Sequence, residues 1–191
     1  AIAHRYGQTV VPQNPERIVT LGPYEEDSLI AIGVIPIAST GPETLAETFP
    51  PPWSRESLRN AEILGPANLE DGIDYGAIAE LLPDLIMATK ADLSLEQYEQ
   101  LSSIAPTVAQ PTGGNASEMS WQRHAEFVGQ VLNLESEARQ AILVTQASIF
   151  DAIRPHPALK GSTFGHLKVG EGEVLQIAGG ESLSARFFRQ L

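Results

Sequence analysis

Up to residue 109 the chain alternates short β-branched apolar runs with stretches of helical length, and glycine or proline closes nearly every one. That alternation limits the fold more than any other feature, because consecutive strand-helix-strand units close on themselves as a mostly parallel sheet. Arg17 to Leu21 (RIVTL) reads as a strand. It leads through Gly22-Pro23 into a helix with the acidic start Glu25-Glu26-Asp27, ending near Gly33. Val34 to Ala38 (VIPIA) reads as a second strand, whose proline favours an edge or an end of the sheet. A loop from Ser39 to Pro52 follows it.

The pattern then repeats. Asp74 to Leu82 places Ile78, Leu81 and Leu82 on one helical face, with Asp74 as its cap and Pro83 as its stop. Asp84 to Ala88 is a strand. Leu95 to Ile104 carries Leu95, Tyr98, Leu101 and Ile104 at helical spacing, before Pro106 and the strand Thr107 to Ala109. The expected class is therefore α/β, with a parallel sheet.

From Ser120 the pattern changes, since no strand interrupts Trp121 to Ile153 and only the junction Asn133-Leu134-Glu135 offers a break. Ala138, Ile142, Thr145, Ile149 and Ile153 form one apolar stripe on a helix of about 20 residues, ~30 Å long and able to span a domain. Pro155 and Pro157 end it. Ser162 to His166 and Val174 to Ala178 read as two further strands joined by a glycine-rich turn, and Ser182 to Leu191 as a helix. The remaining tail is too short to close a core alone. The expected organisation is an N-terminal α/β ligand-binding lobe over 1–119, a connecting helical segment over 120–155 and the incomplete start of a C-terminal lobe over 156–191.

Composition removes several function classes. A net charge of -12 repels phosphate backbones, which argues against nucleic acid as a partner. The chain has no cysteine, which excludes disulfides, thiolate catalysis and Cys-ligated metals. No window approaches 18 apolar residues, and AIAHRYGQTV lacks a basic start with an apolar stretch, so the chain is expected to be soluble as given. Dinucleotide, phosphate-loop, nucleophile-elbow and zinc-helix signatures are all missing. The glycines at Gly170 to Gly172 and Gly179-Gly180 read as tight turns. His4, His124, His156 and His166 are scattered and read as surface or packing residues, with no metal site expected.

Two acidic groups, Glu25-Glu26-Asp27 and Glu70-Asp71, are sufficiently explained as helix-start charge and a solvated turn. Tyr24, Trp53 and Trp121 fall in or beside loops. In a parallel α/β sheet the loops at the carboxyl ends of strands form the crevice, so these three rings are candidates for an apolar floor under a ligand.

Four strings then occur in order: VVPQNPERIVTLG (Val10 to Gly22), AIGVIPIA (Ala31 to Ala38), ANLEDGIDYGAIAELLPDLIMAT (Ala67 to Thr89) and YEQLSSIAPTVA (Tyr98 to Ala109). This succession closely resembles the periplasmic or lipid-anchored solute-binding proteins that serve ABC importers of ferric siderophores, haem and cobalamin. The resemblance implies two α/β lobes joined by one long rigid helix, with ligand held between them; the stretch Trp121 to Ile153 fits that helix. It also implies that the chain stops just after its second lobe has begun.

By position, the resemblance makes Glu70 the carboxylate that docks on an arginine of the membrane permease. Lys90 falls where the family places polar or cationic ligand contacts, and Tyr24, Thr40, Trp53 and Trp121 fall on the other cleft loops, with Arg55 as a second cation. The implied function is capture of a ferric siderophore and its delivery to an ABC permease, outside the cytoplasm, without a cofactor and without catalysis. Any membrane contact would come through a lipid anchor or the permease. Such a chelate already satisfies its metal, so the protein needs aromatic surface and charge-matched donors. Lys90 and Arg55 are few cations for an anionic catecholate, which leaves a neutral or cationic hydroxamate, or donors from the other lobe, as the alternatives. Haem or cobalamin in the same fold stays open, with Tyr24 as the candidate haem ligand. A flavodoxin-like α/β enzyme is the more distant alternative.

Overall fold

Short apolar strands of the kind read from the sequence need cover on both faces, and here helices supply it. The computed structural model describes residues 1–41, 49–66, 72–113, 119–157, 167–169 and 175–177. An antiparallel hairpin, β1 (Ile2–His4) and β2 (Gly7–Thr9), opens the chain. It is tied down by Thr9 Oγ1, which donates to the Thr107 carbonyl at 2.6 Å, and by the Tyr6 ring stacked on Tyr98 at 5.0 Å.

The main sheet holds β3 (Ile18–Thr20), β4 (Ala38–Gly41), β5 (Glu62–Pro66), β6 (Leu85–Ala88) and β7 (Thr107–Ala109). Their order is β5-β4-β3-β6-β7, and every neighbouring pair is parallel. Helices α1 (Glu25–Ala31), α2 (Tyr75–Glu80), α3 (Leu95–Ile104), α4 (Trp121–Leu132) and α5 (Glu135–Ile153) complete the described elements before residue 157.

Strand side chains alternate between faces, and the core divides accordingly. Ile18, Leu85, Met87 and Val108 meet Leu29 of α1 and Phe127, Val128 and Val131 of α4 on one face. Val19, Ile86 and Ala88 meet Ile78 of α2 and Leu101 of α3 on the other. Each fully buried Leu, Ile or Val is worth about 1.5–3 kcal/mol relative to exposure, which is why three- and four-residue strands suffice. Local signals fix the helix starts. Asp74 accepts from the Ala77 N–H at 2.9 Å, Ser94 forms a capping box with Gln97, and Ser120 accepts from the Arg123 N–H at 3.3 Å.

Two expectations are corrected. The single helix over Trp121 to Ile153 is two helices, broken at Asn133, which takes the left-handed conformation at φ 56° and ψ 38°. Asparagine tolerates that region because its side chain is short and polar. The apolar stripe belongs to α5 alone, where Ala138 and Ile142 are buried, Ile149 and Ile153 half-buried and Thr145 exposed. The strand expected at Val34 to Ala38 begins instead at Ala38, since Pro36 has no N–H to enter a ladder. Beyond residue 157 the described strands are Leu167–Val169 (β8) and Leu175–Ile177 (β9), which pair antiparallel; β9 falls inside the expected Val174 to Ala178, and the strand expected over Ser162 to His166 lies outside the described residues.

Two elements carried no readable signal: the opening hairpin and β5, which contains Gly65 at φ 88° and ends on Pro66. The helix expected over Ser182 to Leu191 lies outside the described residues. Among the described residues, no helix is long and apolar enough to cross a membrane.

Candidate functional site

The strand order places the chain's change of winding direction between β3 and β6. From β3 the chain proceeds outward to β4 and β5, then returns to the far side of β3 for β6 and β7. At such a switch point the loops leaving the two central strands diverge, and a crevice opens at their carboxyl ends. Gly22 after β3 and Lys90 after β6 face each other across it. A Cβ on Gly22 would lie 2.8 Å from both the Glu25 carboxylate and the Lys90 Cβ, so only glycine permits this close approach.

Beneath the crevice lies a buried polar network on the α1/α4 face. The Glu25 carboxylate is fully buried. It accepts from the Gly22 N–H at 2.9 Å, from the Thr89 N–H at 2.7 Å and from the Thr89 hydroxyl. With that hydroxyl committed to Glu25, the His124 Nε2–H donates to Thr89 Oγ1 at 2.9 Å, and the Ser28 hydroxyl donates to His124 Nδ1 at 2.7 Å. A second branch runs from the Thr20 hydroxyl to Ser39 Oγ at 2.9 Å and from Ser39 to Glu26 Oε2 at 3.3 Å.

Burial dominates the electrostatics. It raises Glu25 above the usual carboxylate range, against the pull of Thr89, Gly22 and Lys90. It pushes Glu26 up to about 7, and it raises Asp27 although Trp53 and Lys90 oppose that shift. His124 is pushed down to about 3 by burial and by the neighbouring Lys90 charge, which agrees with a neutral ring carrying its proton on Nε2. Burial also lowers Lys90, against the attraction of Glu25, Glu26 and Asp27.

The rim carries the groups a ligand would meet. Lys90 Nζ stands 5.9 Å from the centroid of the Tyr24 ring and has no ion pair within 4 Å among the described residues. Tyr24 itself sits in the left-handed region at φ 57° and ψ 24°, a conformation that costs a non-glycine residue about 1–3 kcal/mol. It directly precedes the first turn of α1, where Glu25 and Glu26 enter the buried network. The Trp53 Nε1–H donates to both oxygens of Asp27, at 3.1 and 3.3 Å, while 68% of Trp53 stays exposed. Arg55 is exposed and donates to the Pro50 carbonyl at 3.3 Å.

Thr40 Oγ1, Gln110 Oε1, Trp121 Nε1 and Glu26 Oε1 are buried without a hydrogen-bond partner among the described residues. All four lie at or just beyond the carboxyl ends of β4 and β7, or at the starts of α1 and α4. A buried polar atom left unpaired costs about 1–3 kcal/mol, and these four gather at one edge of the sheet. A pocket of about 500 Å³ at the amino ends of β4 and β5 is a different feature. Its charged members, Glu56 and Arg59, already pair at 2.9 Å.

The residues singled out in the sequence thus divide. Tyr24, Lys90, Thr40 and Trp121 lie at the carboxyl ends of strands or helix starts around the crevice, and Trp53 joins them through Asp27. Arg55 is two residues from Trp53 and faces outward. Glu70 lies outside the described residues. The acidic start of α1 was read as ordinary helix-start charge, yet Glu25 and Glu26 are fully buried. His124 was read as a dispersed packing residue, and it is the link between α4, α1 and the end of β6. One signal was readable: Thr20, Ser39 and Thr89 each set a hydroxyl near or just past the end of an otherwise apolar run.

Comparison with known proteins adds a family. The family model described as periplasmic binding protein matches residues 52–190. The probable siderophore-binding lipoprotein YfiY of Bacillus subtilis is 29% identical over 136 residues, covering 69% of this chain and 38% of the relative. The ferric enterobactin-binding periplasmic protein FepB of Escherichia coli O6:H1 is 32% identical over 146 residues, 71% of this chain and 43% of its own length. Among solved structures, a periplasmic solute binding protein from Mycobacterium smegmatis superposes with a TM-score of 0.82 at 32% identity, over 99% of this chain and 66% of that one. The chain therefore spans less than half the length of these two curated relatives.

Proposed function

We infer the role of the crevice from one premise: this chain belongs to the periplasmic binding protein family. We propose that it forms the first lobe, and the helix leading out of that lobe, of an extracytoplasmic protein that captures a ferric siderophore and passes it to the permease of an ABC importer. The crevice at the β3/β6 switch point carries the reading. It combines the Lys90 ammonium, which has no ion pair among the described residues, the Tyr24 and Trp53 rings and several buried polar atoms without a partner among the described residues on one edge. Such a surface suits a bulky chelate whose metal is already coordinated, because the ligand then asks for aromatic contact and a few directed hydrogen bonds. The printed names of YfiY and FepB, siderophore-binding and ferric enterobactin-binding, support this ligand class.

In this reading Lys90 donates to an oxygen of the chelate, Tyr24 and Trp53 pack on its apolar faces, and Thr40 and Trp121 offer hydrogen bonds. Arg55 supplies a second cation at the edge. The Glu25–Thr89–His124–Ser28 network acts beneath them, fixing α1, the end of β6 and α4 so that the rim is rigid before ligand arrives. Residues 1–119 form the lobe, with α4 packed on it and α5 leading through 120–155 toward a second lobe that begins over 156–191. Glu70 is the proposed carboxylate for docking on a basic permease surface. Anchoring by lipid belongs to the same proposal, by likeness to the lipoprotein YfiY.

Calorimetric titration of the protein with ferric hydroxamates, ferric catecholates, haem and cobalamin tests the reading. A ferric siderophore should bind with one-site saturation and a Kd of about 1 μM or below. Binding of haem or cobalamin alone, or of none of these, would contradict it.

A further inference from the structure

We propose that this crevice selects ferric chelates without net negative charge over polyanionic ones, and that Asp27 is the residue that enforces the choice. The inference rests on the ferric-siderophore reading and narrows it to a charge class.

Cations are scarce where the ligand would sit. In the segments that follow the five parallel strands, the sequence places lysine or arginine only at Arg55, Arg59 and Lys90. Arg59 is paired with Glu56 at the amino-end pocket. Arg55 is exposed and bound to the Pro50 carbonyl. Lys90 is the one of the three seated at the switch point, and its charge is already opposed by Glu25, Glu26 and Asp27. In this lobe an anion carrying several charges would meet a single ammonium with the half-buried Asp27 carboxylate beside it, while burial holds Glu25 and Glu26 toward their neutral forms.

Asp27 differs from the other two acids in its position. Glu25 and Glu26 are fully buried, whereas Asp27 is half-buried and holds the indole N–H of Trp53. The same contact that fixes the exposed ring therefore sets a carboxylate at its edge. A chelate stacking on Trp53 must approach Asp27 closely, and at short range in a partly desolvated site like charges repel strongly. An uncharged chelate meets no such penalty. The preference does not follow from likeness, since one relative is named for binding ferric enterobactin, a tris-catecholate.

The test uses two probes of similar bulk: ferrichrome, an uncharged ferric trihydroxamate, and ferric enterobactin, a polyanion. The protein should bind ferrichrome at least tenfold more tightly. Asp27→Asn keeps an oxygen for the Trp53 N–H and removes the charge, so it should narrow the gap by tightening enterobactin at least threefold relative to ferrichrome. Lys90→Gln should widen the gap by weakening enterobactin more than ferrichrome, which keeps the test decisive if Asp27→Asn misfolds. Equal or tighter binding of enterobactin by the parent protein, or a gap unmoved by both variants, overturns the charge selection and leaves siderophore capture standing. Failure of every ferric chelate to bind overturns both.

Discussion

Glu26 and His124 are both driven toward their neutral forms by burial, and the pH dependence of folding should separate them. Glu26 titrates at about 7 in the fold against 4.5 as the reference, so the folded state holds a proton that the unfolded chain releases. Its contribution is fully present below pH 4.5 and is lost as pH rises through 7. His124 is the reverse. Its value near 3 against 6.5 means that the folded state binds fewer protons, so its contribution is present above pH 6.5 and fades as pH falls toward 3. Glu25 and Asp27, also raised, share the sign of Glu26. Between pH 4.5 and 6.5 the two kinds of group oppose each other. Relative to the parent protein, Glu26→Gln should give a stability that rises more steeply with pH across this window, and His124→Gln one that rises less or falls. Urea unfolding midpoints measured at several pH values check this; two variants whose profiles run parallel to the parent would contradict it.

At this scale the sequence disclosed residue types better than environments. Tyr24, Trp53 and Trp121 are expected from the rule that strand-end loops form the crevice, and Lys90 from the family resemblance. Glu25, Glu26 and His124 are not, because burial of a charged residue depends on what the rest of the chain packs over it. Two consecutive glutamates at a helix start are as compatible with solvent as with a network. The hydroxyls of Thr20, Ser39 and Thr89 were the local clue, since they lie in or just past short strands and on one face of the sheet.

Among the elements, the turn between α4 and α5 shows how a continuous pattern conceals a break. Apolar residues recur at helical spacing on both sides of Asn133, and periodicity alone cannot report a change of direction. The close approach after the turn depends on Gly129, where a Cβ would sit 2.6 Å from the Ala138 Cβ and 3.1 Å from the Leu134 carbonyl oxygen. Gly129→Val should therefore destabilise the protein by about 1–3 kcal/mol through overpacking. Ala138→Gly should recover part of that loss, read from thermal unfolding of the double variant against the singles. An unchanged melting temperature in Gly129→Val would mean that the helices do not cross there. Helices with sequence-local caps, such as α3 behind Ser94, were legible to the residue. The hairpin and β5 were not, because strands this short owe their existence to partners distant in sequence.

On the scale of the whole molecule, a doubly wound sheet with one reversal of winding fixes where a ligand can enter before any side chain is considered. The fold class follows from the alternation of elements, and strand order does not, because β6 could have joined either side of β3 with the same sequence pattern. The chain's two tryptophans, Trp53 and Trp121, both belong to this edge: one is tied to Asp27, and the other has its indole nitrogen buried, without a partner among the described residues, at the start of α4. That makes intrinsic fluorescence a local reporter of the crevice. Titration with a ferric hydroxamate, followed by tryptophan emission in the parent protein and in Trp53→Phe, is the most direct test of the claim that the switch-point crevice holds the chelate. Saturable quenching in the parent, with most of it lost in Trp53→Phe, is the predicted result. Calorimetric binding without any change in tryptophan emission, or quenching untouched by Trp53→Phe, would contradict the account.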